Sequence, residues 1–230
     1  ITQHTVHFVV DEITNTIDKL NIVKFEAYSE TIVDYIKRMN PNQIDEYIKS
    51  LDFEKLRVLF EKLLYEVSFI RHFQEKQQYE NIYYFLKNSI LQRDNDKEKV
   101  ILFEIIYQYA VVGNMSYENE FLNILPTYVK YVSIKKYIME KSYLDSFITS
   151  LIDAVTYDSA GVYAKAILEF NNNLTVDQIK IMSEATINNS QIYDSYNAQG
   201  ALKMIFIRHK EHIRPEVLQE INKLMKSHIA

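Results

Sequence analysis

The scarcity of glycine and proline constrains the fold of this chain more than any other feature. Only 3 Gly and 3 Pro occur among its 230 residues. Folds built from many strands and tight turns depend on these two residue types, because turns need the backbone angles that they favour. The composition therefore predicts long helices joined by short polar connections.

The spacing of apolar residues predicts helices along most of the chain. From Asp52 to about Phe73, apolar side chains recur every three or four residues and so share one helix face. Two capping boxes mark further helix starts, Asn40-Pro41-Asn42-Gln43 and Thr175-Val176-Asp177-Gln178. Strand-like alternation does not extend beyond a few residues. We therefore predict an all-α protein.

Three segments refine this prediction. The most polar run, residues 93–99, is the best candidate for an exposed loop. Residues 100–112 are apolar nearly all round, which predicts a central helix buried between its neighbours. Within it, Glu104 and Gln108 mark either the floor of a polar pocket or the one strip that faces solvent. The final helix, from Pro215, has one apolar stripe and one polar face, as expected of a helix that caps a stack.

Several of these helices form pairs of roughly 35–45 residues, a spacing that resembles HEAT, armadillo and tetratricopeptide arrays. We therefore expect a multi-helix array of antiparallel helix pairs, an α-solenoid, with an irregular helical bundle as the alternative. We expect residues 1–230 to form a single all-helical domain with a weak subdivision near 93–99. Because the chain begins with Ile1 rather than Met, we also expect it to be a fragment of a longer or processed protein.

Charge and missing motifs exclude several classes of function. The formal net charge of −5 lacks the electrostatic signature of a general nucleic-acid binder. The absence of Cys removes thiolate metal sites and Cys nucleophiles, and it fits a reducing compartment. With Gly only at positions 113, 161 and 200, no glycine-rich phosphate loop can be built. No apolar run is long enough to span a membrane. We expect a cytoplasmic protein with no cofactor and no membrane partner.

Two histidine pairs have a spacing that could serve a metal. His4 and His7 lie three positions apart, and so do His209 and His212. In a helix this spacing places both imidazoles on one face, but zinc takes three or four ligands and the HExxH pattern is absent. We therefore predict no metal site.

The segment from Arg208 to His212 reads RHKEH. It resembles the motif of HEPN domains, a family of helical ribonucleases in which an Arg and a polar residue precede a His. The resemblance implies that Arg208 stabilises phosphate charge and that His212 acts in general acid–base chemistry. The segment departs from the family in having three residues between Arg208 and His212, where the family has four to six. No other catalytic pattern occurs, so we assign no catalytic residue and favour a protein that is not an enzyme.

The last third of the chain carries a candidate binding cluster of basic and aromatic residues. Tyr and Arg often dominate binding energy, and a local basic patch attracts acidic partners. The cluster comprises Tyr193, Tyr196, Arg208, His209, His212 and Arg214. Our principal hypothesis is a helical scaffold that binds another protein or a peptide, for example as the sensor domain of a larger regulator. The alternatives are a HEPN-like ribonuclease and a structural oligomerisation module.

Overall fold

The computed structural model describes residue 17 and residues 19–69, 76–109 and 123–225. Helix occupies 80% of this part of the chain, which contains no strand, so the all-α prediction is confirmed. Backbone contacts divide the chain into two compact units, residues 1–109 and 110–230. The single-domain arrangement stays a prediction. Within the described ranges, no helix has the length and apolar character needed to cross a bilayer.

The first unit packs its helices around a long central one. Its described helices are α1 Ile22–Ala27, α2 Ser29–Ile36, α3 Pro41–Ser50, α4 Phe53–Phe69, α5 Lys76–Leu91 and α6 Asp96–Tyr107. Helix α4 contacts α1, α2, α5 and α6, while α3 packs on α5. The predicted capping box at the start of α3 is confirmed, since Asn40 and Gln43 exchange both side chain to backbone hydrogen bonds.

The prediction of an exposed loop over residues 93–99 is wrong from Asp96 onward. The Asn95 side chain accepts a hydrogen bond from the Lys97 backbone amide, and this contact starts α6 at Asp96. Arg93 turns inward and donates to the backbone carbonyls of Ile48 and Leu51. Helix capping and a long-range contact therefore order a segment that looks unstructured by composition.

The prediction of a helix buried on all sides over residues 100–112 is also wrong for the residues described. Helix α6 buries one face, and Phe103 on that face is fully buried. Ile101 on another face is 40% exposed. Gln108 is exposed and donates a 2.7 Å hydrogen bond to the Glu104 carboxylate. Gln108 therefore faces solvent, while Glu104 is half-buried with its Oε2 atom shielded from water. Residues 110–112 lie outside the described ranges.

The second unit contains eight described α-helices, with a short 3₁₀ turn between the last two. The helices are α7 Leu125–Tyr128, α8 Val132–Glu140, α9 Tyr143–Ile152, α10 Tyr157–Leu168, α11 Val176–Asn188, α12 Ser190–Tyr193, α13 Tyr196–Arg208 and α14 Pro215–Leu224. The 3₁₀ turn, Lys210–His212, lies between α13 and α14. The predicted capping box at Thr175 is confirmed at the start of α11. The predicted apolar stripe of the last helix is buried at Val217, Ile221 and Met225.

Helices α10 and α13 lie side by side and run in the same direction. At one end the Ser195 hydroxyl donates to the Tyr157 carbonyl at 2.8 Å, and at the other end His209 contacts Asn171, in both cases across 38 residues of sequence. Gly161 lies at the contact between the two helices, where it faces Asn197. Helix α11 packs separately against α9 and α14. The second unit thus places α10 and α13 as parallel neighbours.

Candidate functional site

The predicted binding cluster is divided between the two ends of α13. Tyr196 is the first residue of this helix and Arg208 is the last. At 1.5 Å of rise per residue, the two positions are about 18 Å apart along the axis. Tyr193 ends α12 and therefore lies near Tyr196, whereas His209 and His212 follow Arg208. The structure therefore supports two separate candidate sites.

The Tyr196 end of α13 borders a groove that we call the α10–α13 groove. It has a volume of about 500 Å³, within the range of about 300–1,000 Å³ that is typical of ligand sites. Residues of α10, residues of α13 and Met225 after α14 line it. Tyr196 stands at its edge with 89% of its surface exposed. A large aromatic side chain is thus available to a binding partner.

An exposed apolar stripe continues from this groove along α13. Tyr196, Gly200, Met204 and Ile207 follow one another at steps of four, four and three residues, so they share one face. Met204 is 59% exposed and Ile207 is 46% exposed. A Cβ atom added to Gly200 would meet nothing within 4 Å, so the surface above it is open. Flexible Met side chains adapt to varied apolar partners.

The charge of the α10–α13 groove is positive. Lys165 and Lys203 line it, and none of its lining residues is acidic. The Lys165 ammonium donates a 2.8 Å hydrogen bond to the Asn197 side chain. In the part of the chain that is described, neither lysine lies within ion-pair distance of a carboxylate. The two ammonium groups therefore keep their charge available for a ligand.

The other end of α13 carries the remaining predicted residues. Arg208 is exposed, and Arg214 forms ion pairs with Glu184 at 3.0 Å and Glu216 at 3.3 Å. The rings of His209 and His212 stack with their centroids 6.2 Å apart. Because Arg214 is neutralised locally, the predicted basic patch is weaker than its sequence suggests.

Sequence reasoning named only Tyr196 among the lining residues of the groove, and it missed both lysines and Met204. Lys203 and Met204 follow Tyr196 by seven and eight residues, so helix periodicity could have placed them on the same face. Lys165 belongs to a different helix, and no local pattern connects it with Tyr196. The pairing of α10 with α13 is what brings Lys165 to the site.

The residues that the HEPN resemblance involves have these surroundings. His209 is hydrogen-bonded to Asn171, and the His212 Nε2 atom lies 3.4 Å from a Glu211 carboxylate oxygen. Arg208 carries the guanidinium that the HEPN resemblance assigns to phosphate. The His4 and His7 pair lies outside the described residues.

Comparisons with known proteins add no family to this picture. The chain matches no protein-family model, no curated protein and no solved structure.

Proposed function

We propose that this chain is an interaction scaffold that binds an acidic peptide segment of another protein in the α10–α13 groove. The observation that carries the proposal is the combination of an exposed apolar stripe with two lysines that face no carboxylate. Apolar surface supplies area to bury, and the ammonium groups select the charge of the occupant.

Charge complementarity favours an acidic occupant. The overall field of the protein, with a net charge of −5, repels acidic partners, so any attraction for them must come from local positive charge. Elsewhere in the second unit, Lys135 pairs with Glu169 at 2.9 Å and Arg214 with Glu184 at 3.0 Å. Lys165 and Lys203 differ from these residues because they have no such counter-ion among the described residues. A carboxylate of a bound ligand would supply the counter-ion that these two lysines lack.

The apolar stripe favours an occupant that also presents apolar side chains. Tyr196 is a residue type that recurs at binding hot spots, and it is exposed here. Stacked helix pairs offer extended surfaces for such segments. As an analogy at the level of fold only, this suits a sensor or partner-binding domain of a regulator.

The test uses an array of short synthetic peptides and purified protein. One set carries Glu or Asp beside Leu or Phe, and a matched set carries Lys in place of each acid. We expect the acidic set to bind. In the variant Lys165→Glu with Lys203→Glu, the affinity for the best acidic peptide should fall at least about tenfold, since this corresponds to about 1.4 kcal/mol, a modest loss for two reversed charges.

The matched control is Lys130→Glu with Lys180→Glu. Both lysines are exposed in the second unit and neither lines the groove, so the net charge changes equally. Equal losses of affinity in the two variants would show nonspecific attraction and contradict the proposal. Sedimentation at several concentrations tests the oligomerisation alternative. Self-association that the groove variant abolishes would make a second copy the occupant.

A further inference from the structure

The turn between α13 and α14 brings three metal-ligating side chains together. One nitrogen from each of His209 and His212 and one carboxylate oxygen of Glu211 lie within 4.8 Å of one another. Sequence spacing indicated only the two histidines. Residues two apart on an α-helix do not face each other, which separates Glu211 from His209. Here α13 ends at Arg208 and Lys210–His212 forms a 3₁₀ turn, so helical spacing no longer applies.

The orientation of His209 is fixed by Asn171. The His209 Nε2 atom lies 2.8 Å from the Asn171 backbone carbonyl oxygen and 3.0 Å from its side-chain oxygen. A carbonyl oxygen only accepts hydrogen bonds, so Nε2 carries the proton and donates. The lone pair of the ring is therefore on Nδ1. A histidine that binds a metal usually donates its other ring N–H to a carbonyl or carboxylate in this way.

The distance between His212 and Glu211 matches the edge of a zinc coordination tetrahedron. Zn–N bonds of about 2.0–2.1 Å and Zn–O bonds of about 2.0–2.2 Å at a tetrahedral angle place the two ligand atoms about 3.4 Å apart. The His212 Nε2 atom and the Glu211 Oε1 atom are 3.4 Å apart. Little movement is then needed for both to bind one ion.

We propose that His209, Glu211 and His212 form a binding site for a divalent transition-metal ion of the zinc class. Two imidazole nitrogens and one carboxylate oxygen suit Zn²⁺ and Co²⁺, whereas Mg²⁺ and Ca²⁺ take oxygen ligands. The three protein ligands leave a fourth position for water or for a side chain of another molecule. This site is independent of the α10–α13 groove.

The experiment titrates the whole chain, without a histidine tag, with ZnCl₂ in a calorimeter. CoCl₂ is the second probe, because its visible absorption reports coordination geometry. We expect saturable binding of Zn²⁺ that His212→Ala and Glu211→Gln each weaken at least about tenfold, the lower end of the 10–100-fold range measured for outer-shell losses. MgCl₂ should give no binding.

The matched control is the chain's other histidine pair, in the variant His4→Ala with His7→Ala. This variant should keep the affinity for Zn²⁺. His209→Ala also removes the contact with Asn171, so its thermal melting without metal is measured beside its titration. Glu211→Gln and His212→Ala keep the hydrogen bond between His209 and Asn171. These two variants therefore test the site even if His209→Ala does not fold. Absence of Zn²⁺ binding, or binding that survives both of these variants, would overturn the site.

Discussion

A Cβ atom on Gly161 would lie 2.7 Å from the Cβ atom of Asn197, closer than side-chain carbons of neighbouring helices approach. Asn197 Cβ is attached directly to the backbone of α13, so it cannot rotate away. Ala160 and Ala164 of α10 and Ala198 of α13 are also fully buried. Gly161 therefore permits the close approach of α10 and α13, the two helices whose residues line most of the groove.

The first prediction concerns this contact. Gly161→Ala should force the two helices apart, and overpacking of this kind costs about 1–3 kcal/mol. The higher helix propensity of Ala offsets up to about 1 kcal/mol of this loss in stability. We expect a net loss of stability, measured as a lower urea midpoint.

Gly200→Ala is the control for Gly161→Ala, because Gly200 also lies inside a helix. Its added Cβ would meet nothing within 4 Å. Only helix propensity changes, so stability should rise by about 0.5–1 kcal/mol. Changes of the same sign in the two variants would contradict the assigned packing.

The second prediction uses Gly200 to block the groove. Gly200→Leu places a bulky side chain among the lining residues while it also favours the helix. Binding of the acidic peptide should fall at least about tenfold, a loss of about 1.4 kcal/mol, while the melting temperature does not fall. Fluorescence anisotropy of the labelled peptide measures the affinity. Full affinity in a folded Gly200→Leu variant would place the peptide elsewhere.

The third prediction concerns Arg93, which sequence composition assigns to an exposed loop. Its guanidinium donates to the carbonyl of Ile48 at 2.9 Å and of Leu51 at 3.2 Å, at the end of α3. Arg93→Ala removes both hydrogen bonds. A hydrogen bond to a charged group contributes about 1.5–3 kcal/mol, so we expect the free energy of unfolding to fall by at least about 1.5 kcal/mol. Lys97→Ala, at an exposed position of α6, should change the unfolding free energy by less than about 0.5 kcal/mol. Equal effects would restore the loop interpretation.

The fourth prediction is a pH dependence at Asp52. Burial alone would raise the pKa of Asp52, but hydrogen bonds from the Lys55 backbone amide and ammonium outweigh it and lower the pKa below its ordinary value of 3.8. The amide and ammonium distances are 3.0 Å and 3.1 Å. A lowered pKa in the folded state contributes stability at pH values above the ordinary pKa, and this contribution is lost as the pH falls through the folded value.

Asp52→Asn tests this pH dependence, because Asn keeps the capping oxygen and removes the charge. The wild type should be more stable at pH 7 by about 0.3–1 kcal/mol, the usual size of a charge effect at a helix N-terminus. The difference in unfolding free energy should shrink below about pH 4, near the ordinary pKa of an Asp. A difference that stays constant down to pH 2 would contradict the assignment.

The fifth prediction addresses the HEPN-like alternative. We expect the purified protein to leave single-stranded RNA intact, since the spacing from Arg208 to His212 departs from the HEPN motif and the protein is net acidic. Gel analysis of labelled RNA measures this. If the protein cleaves RNA and both Arg208→Ala and His212→Ala abolish cleavage while folding persists, the ribonuclease alternative replaces our reading of this end of α13.

The helix content and the two capping boxes could be predicted from the sequence. Asn40 and Gln43 are three positions apart, and so are Thr175 and Gln178, so each contact forms within one helical turn. The amphipathic final helix could be predicted for the same reason, because its stripe of apolar residues depends only on the helical period. Local geometry is sufficient for such features.

The candidate sites depend on the tertiary structure. Lys165 reaches Asn197 from another helix, and Asn171 holds His209 across 38 residues of sequence. The sequence placed Tyr196 and Arg208 in one cluster because they are close along the chain, yet they occupy opposite ends of α13. Glu211 joins two histidines only because α13 stops at Arg208 and a 3₁₀ turn follows. These contacts depend on which helices pack together and on where each helix ends. Side-chain packing between residues far apart in the sequence determines both, so no local sequence pattern predicts them.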